Sequence, residues 1–168
     1  MHGIDAVAAR WLIAMTVWIA PCVNAQLASS DPDWKELDSL APPAVNFTQL
    51  IAIDGRSADL QFGIDPASLS VDSDGVVRYV VVAQSASGAR TVLYEGIRCN
   101  TGQVRTYARK NSDEAWVTVR DGGWRLLRDG QRSAHALAAA RQGLCFGNGT
   151  PRSVREIVQA LKNPAYDK

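Results

Sequence analysis

Apolar positions alternate with polar ones, or gather in short unbroken runs, through the middle of the chain. Only near the end do they recur at three- and four-residue spacing. The first pattern predicts strands and the second helices. Residues 47–53 and 59–64 read as short strands, separated by the turn pair Asp54-Gly55. Residues 65–69, with Pro66 and Ser68, read as a turn, and Asp72-Ser-Asp-Gly75 as a second one. The run 76–82 is largely apolar on both faces and is expected to lie centrally. Residues 76–83 and 91–99 flank the turn at 85–89 and are expected to pair as an antiparallel hairpin. Further strands are expected over 103–110, 115–119 and 124–127.

The tail changes period. An alanine-rich helix is expected over 133–142, stopped by Gly143. A final helix opens at Thr150-Pro151 or at Ser153, with Glu156 as capping-box partner, and ends near Pro164. Its apolar stripe is Val154, Ile157, Val158 and Leu161. Short sequential strands without long crossovers predict an α+β fold: a meandering antiparallel sheet of about five to seven strands, followed by two short C-terminal helices.

The start of the chain has a different character. Trp11 to Ala20 is apolar and uncharged, Arg10 precedes it, and Pro21 breaks it. Val23-Asn24-Ala25 offers small or modest side chains where a signal peptidase reads. Residues 1–25 are therefore expected to be a signal peptide, cleaved between Ala25 and Gln26. The run is too short for a membrane span, so no transmembrane anchor is expected in the mature form. Pro21 directly before Cys22 argues against lipidation there. Residues 26–44 read as an irregular lead-in, in which Asp31-Pro-Asp-Trp34 could form one turn and Trp34 could pack back on the rest. Residues 45–164 are expected to form one domain.

Charge changes this picture little. The chain holds 18 Lys and Arg against 17 Asp and Glu, and the signal removes one of each. The balance gives no field that would steer nucleic acid, and none is expected as a partner. Cys99 and Cys145 remain after cleavage, and an even pair in an exported chain is most simply a disulfide, with two separate buried thiols as the alternative.

No chemistry-bearing motif stands out. His135 is the one histidine left in the mature chain, so no metal site needing two can form within it. Ser133 lies two residues away and does not share its helical face, so a surface or partly buried histidine is expected. Asp72-x-Asp74-Gly75 lacks the remaining ligands of a calcium loop and reads as a turn. No catalytic residue, cofactor or metal is assigned. The suggestive set is Arg98, Tyr107, Arg109, Trp116, Trp124 and Arg125, since arginine and aromatic side chains on a sheet can hold a partner by stacking and planar hydrogen bonds. The alternative is that the aromatics are core and that Arg98 pairs with Glu95 at a sheet edge.

Four stretches carry a family resemblance: Phe62-Gly-Ile-Asp65-Pro-Ala-Ser-Leu69-Ser-Val71-Asp72, Asp74-Gly-Val-Val-Arg-Tyr79, Tyr94-Glu-Gly-Ile-Arg-Cys99 and Leu144-Cys145. Over residues 33–161 the chain resembles the CNP1-like family of exported proteobacterial proteins. The resemblance implies a small envelope protein of Gram-negative bacteria with a signal peptide, and supports pairing Cys99 with Cys145. It brings no catalytic residues. The function expected is non-enzymatic: a periplasmic or envelope-associated protein that binds another protein or a cell-wall component. A small carboxylate-dependent hydrolase of envelope polymers, or a structural accessory, is the alternative.

Overall fold

The computed structural model describes residues 31–38, 41–55, 57–112 and 114–164. The signal-peptide reading of residues 1–25 and the question of Cys22 lie outside the described residues. Seven strands form one antiparallel sheet: β1 (Ile51–Ile53), β2 (Leu60–Val71), β3 (Val76–Ser85), β4 (Arg90–Arg98), β5 (Gln103–Asn111), β6 (Val117–Thr118) and β7 (Arg125–Leu126). They follow in chain order from β1 to β5, and β6 and β7 both pair with β5, at its two ends. The short helices α1 (Ala134–Ala139) and α2 (Val154–Lys162) come after the sheet, as the change of period predicts.

Side chains alternate across a strand, which divides this sheet into two buried faces. Val77, Tyr79, Val81 and Ile97 point to the helix side and pack with Leu144, Ile157 and Leu161. Val80, Val82, Val92 and Tyr94 point the other way, where Val45, Phe47 and Leu50, between the lead-in and β1, cover them. Arg78 apart, the run 76–82 is apolar on both faces because it has a layer on each side. Each buried Val, Leu or Ile side chain contributes about 1.5–3 kcal/mol.

The expected turn at 65–69 is instead a bulge inside one continuous strand, β2. Asp65 faces Val80 and Ser70 faces Arg78, so four residues of β2 oppose Tyr79 alone. Pro66 has no N–H to give the ladder, and beside it the Ser68 hydroxyl stands between the Val80 N–H and the Asp65 carbonyl. It accepts from Val80 N at 2.7 Å and donates to the Asp65 carbonyl at 2.7 Å. The strands expected at 47–53, 115–119 and 124–127 shorten to Ile51–Ile53, Val117–Thr118 and Arg125–Leu126.

A second bulge matters more for the site. Tyr94 faces Ala108 but Glu95 faces Thr106, leaving Tyr107 as the extra residue of β5. One extra residue exchanges the two faces of everything beyond it. Arg105 and Tyr107 point to the lead-in side, and beyond the bulge so do Ala108 and Lys110, while Arg109 falls beside Leu93.

The helical tail is fixed at four points. Ser153 caps α2, accepting from Glu156 N at 3.3 Å, and the Glu156 carboxylate accepts from Arg152 N at 2.9 Å, one residue earlier than a capping box requires. A π-helical turn, Ala140–Leu144, runs from α1 toward Cys145, and at its Gly143 a Cβ would lie 2.6 Å from Ala160 Cβ. Cys99 and Cys145 form the disulfide, with Cα atoms 5.6 Å apart. Gln142 reaches the free edge of β1: its amide nitrogen donates to the Ala52 carbonyl at 2.8 Å and its oxygen accepts from Asp54 N at 3.4 Å.

Candidate functional site

The lead-in side of the sheet carries a charged cluster built from neighbouring strands. Arg78 of β3 is 1% exposed. Its Nη1 donates to Asp72 at 2.7 Å and its Nη2 to Asp74 at 2.7 Å, both carboxylates belonging to the β2–β3 turn. Burial opposes the charge of Arg78, but its hydrogen bonds to Asp74 and Asp72 more than offset it and hold the guanidinium firmly protonated. Burial also works to raise Asp74, and is outweighed by Arg78 and by the N–H groups of Leu37 and Val76, which hold its carboxyl below the ordinary value. The Asp72-x-Asp74 turn thus directs both its carboxylates to Arg78.

Glu36 of the lead-in lies over this cluster. Its carboxylate accepts from Tyr107 Oη at 2.7 Å, from Trp124 Nε1 at 3.1 Å and from Arg105 Nη1, with Arg78 Nη2 at 3.9 Å. Burial and the bond to Glu36 push the Tyr107 phenol up, so it remains a donor. Gly96 makes room for that ring, since a Cβ there would stand 2.6 Å from Tyr107 Oη. Trp34 lies on the Arg98 guanidinium at 3.5 Å, meets Trp124 edge-on at 5.9 Å, and donates from Nε1 to the Asp74 carbonyl at 2.8 Å. Arg98 is 6% exposed. Burial lowers its pKa, against the pull of Glu36, Asp74 and Asp31. Three guanidinium nitrogens of the cluster are buried without a hydrogen-bond partner among the described residues: Arg78 Nε, Arg98 Nη2 and Arg105 Nε.

The helix side holds a different network, centred on Glu95, which is fully buried. Its carboxylate accepts from Tyr79 Oη at 2.9 Å and Thr106 Oγ1 at 2.9 Å, meets His135 Nε2 at 2.9 Å, and lies 3.5 Å from Arg125 Nη2. Burial works to raise its pKa, but His135, Thr106 and Tyr79 together hold it below the ordinary value. Tyr79 is pushed well up by burial and by Glu95. His135 is buried rather than superficial, stacked on Phe62 with centroids 5.3 Å apart. Ser133 Oγ accepts from Arg125 Nε at 3.1 Å. Two clefts, of about 640 and 500 Å³, lie along β1 and β2, and neither is lined by Glu95, His135 or Glu36. Among the described residues, no group of three or more His, Cys, Asp or Glu side chains could hold a metal ion. Among them, too, no helix is long and apolar enough to cross a membrane.

The profile of the CNP1-like family matches residues 29–162. The chain belongs to the CNP1-like family. No curated protein and no solved structure matches it. The match takes in every described strand and helix and both faces just described.

Within this CNP1-like domain the six residues singled out from sequence divide between the faces. Arg98, Tyr107 and Trp124 meet around Trp34 and Glu36. Trp116 lies on the same face beside Lys110, whose Nζ is 5.5 Å from its ring. Arg125 follows Trp124 on a strand and therefore points the opposite way, into the Glu95 network. Arg109 is sent to the helix side by the bulge at Tyr107 and is exposed. Arg98 and Glu95, three residues apart, likewise face opposite sides and do not pair. Sequence reasoning missed Glu36, Arg78 and Arg105. The i, i+2 spacing of Arg78 and Val80 on one face of β3 was legible, but nothing local shows that a carboxylate 42 positions earlier would cover it.

Proposed function

We propose that the protein is exported to the cell envelope and acts there by binding a protein or cell-wall component, not by catalysis. The binding surface is the lead-in side of the sheet, with Arg98, Tyr107 and Trp124 at its centre and Trp116 at its margin. One observation carries this reading. Donors fixed on β3, β5 and the residue before β7 converge on a single carboxylate, the arrangement by which arginine and aromatic N–H or O–H groups recognise an acidic ligand. Export is supported by the apolar run at 11–20 and by the Cys99–Cys145 disulfide, a bond that persists in oxidising compartments.

Two measurements test the two halves. Cell fractionation with intact mass should find the mature chain in the envelope, beginning at Gln26; a cytoplasmic chain retaining residues 1–25 would refute export. Crosslinking in intact cells should give an adduct with the wild type that is lost in a folded Arg105→Ala, Trp116→Ala variant. The same adducts in both would remove the binding role from this face.

A further inference from the structure

The lead-in is held to the sheet as a bound peptide is held, by a few side chains and one backbone group. Among the described residues of the lead-in, Trp34, Glu36 and the Leu37 N–H hydrogen-bond to the rest of the domain, the last to Asp74 Oδ2 at 3.0 Å. Asp31, Pro32, Asp33, Lys35, Leu37 and Asp38 are exposed. An extended chain turns positions i and i+2 to the same side, so Trp34 and Glu36 enter the face together while Lys35 and Leu37 stay outside. The receiving surface belongs to the sheet. It offers Arg98 for the indole to cover, and Arg105, Tyr107 Oη and Trp124 Nε1 for the carboxylate. Arg78 is already paired with Asp72 and Asp74, so Glu36 is the carboxylate on Arg105, and it pulls on Arg98 together with Asp74 and Asp31. The face remains rich in donors even with Glu36 in place, since one N–H-bearing nitrogen on each of the three arginines has no partner among the described residues.

We infer that this face is a docking site for an extended acidic segment of a protein partner, in which an aromatic residue and a glutamate two positions later replace Trp34 and Glu36. The chain's own lead-in occupies the site until such a segment displaces it. This rests on the binding role proposed above and narrows the partner to a protein: a wall fragment could supply the carboxylate, but not the aromatic ring that covers Arg98. The lead-in competes as a tethered ligand, with an effective concentration on the order of millimolar. A partner therefore needs tighter contacts than the lead-in makes, or a higher local concentration.

The probe is a labelled peptide with the sequence of residues 31–38, titrated into the full mature chain. A Trp34→Ala, Glu36→Ala variant, shown by circular dichroism to be folded, should bind the peptide at least about tenfold more tightly than the wild type does, since the tethered competitor is gone. Replacing Glu by Gln or Trp by Ala within the peptide should weaken binding at least about tenfold, the loss of roughly 1.4 kcal/mol. Adding Arg105→Ala to the variant should abolish it. For the wild type, millimolar peptide should accelerate hydrogen exchange at the Leu37 amide, a readout that needs no variant to fold. A folded variant that ignores the peptide, or binds all three peptides equally, overturns the inference, as does unchanged Leu37 exchange. Displacement of the peptide by an equal concentration of wall muropeptide would assign the site to the wall instead. Peptide binding that stands while crosslinking in cells fails would refute the envelope role alone.

Discussion

Changing Glu95 to Gln removes one buried charge and almost no volume, which makes it the sharpest probe of how the helix side is held together. The amide oxygen of the variant can still accept from Thr106 and Arg125. Its NH2 group then faces the Tyr79 hydroxyl and His135 Nε2, both now placed around a carboxylate. A hydrogen bond to a charged group contributes about 1.5–3 kcal/mol and a neutral one about 0.5–1.5 kcal/mol. Three short bonds are downgraded, and the expected cost is about 2–4 kcal/mol at pH 7. The acid limb gives an independent check. Burial alone would raise the Glu95 carboxyl, but His135, Thr106 and Tyr79 hold it below its ordinary value of 4.5. Such a depressed carboxylate stabilises the fold fully above that value, and the contribution is lost as pH falls through the folded-state value. The wild type should therefore lose stability below pH 4.5 by up to about 1.4 kcal/mol per pH unit more than Glu95→Gln does. Asp74 is also depressed, but it is present in both proteins and cancels in the difference. Urea unfolding followed by tryptophan fluorescence from pH 7 down to pH 3 measures both quantities. A variant within 0.5 kcal/mol of wild type at pH 7, with an unchanged acid limb, would refute the claim that a charged Glu95 organises this face.

Three further outcomes can be measured in the same way. Cys99 and Cys145 are 46 positions apart, so replacing both by Ala should cost about 4 kcal/mol on the chain-entropy account, and an unchanged urea midpoint would show the bridge to be idle. Gly96→Ala would bring a methyl group within 2.6 Å of Tyr107 Oη and 2.8 Å of Val76 Cγ1; a cost of about 1–3 kcal/mol is expected, together with a changed near-ultraviolet tyrosine signal. Ile157→Ala empties a fully buried site between α2 and the sheet and should cost about 2–5 kcal/mol, whereas a loss under 1 kcal/mol would mean that α2 is only loosely docked.

Local chemistry made much of the fold legible. The turn residues at 72–75 and 85–89 bracket the central strand, and the apolar spacing of Val154, Ile157, Val158 and Leu161 defines α2. The two bulges were not legible, because each depends on a partner strand. Pro66 looks like a turn until the Ser68 hydroxyl is seen standing between the Val80 N–H and the Asp65 carbonyl. Tyr107 looks like an ordinary alternating residue until Tyr94 and Glu95 of β4 show that the register slips beside it. That slip is why Tyr107 and Arg109, two apart, lie on opposite faces. Glu36 was hidden for another reason: it sits in an irregular, exposed segment whose only regularity is the surface beneath it. His135 illustrates the same limit, since its partner Glu95 is 40 positions away.

Gln142 has a consequence for association as well as for folding. In a parallel ladder, one residue donates its N–H to the carbonyl preceding its neighbour and accepts from the N–H that follows. The Gln142 amide treats β1 in this way, taking Ala52 O and Asp54 N on either side of Ile53. The side chain thus counterfeits an eighth strand one residue long, anchored from behind by its bond to the Leu161 carbonyl at 3.0 Å. An incoming chain that sought to extend the sheet would find those two hydrogen-bonding sites of the short edge already spoken for. The meander is closed off on this flank by a single amide instead of a barrel seam, and a molecule built around an open sheet gains a barrier against stacking into fibres.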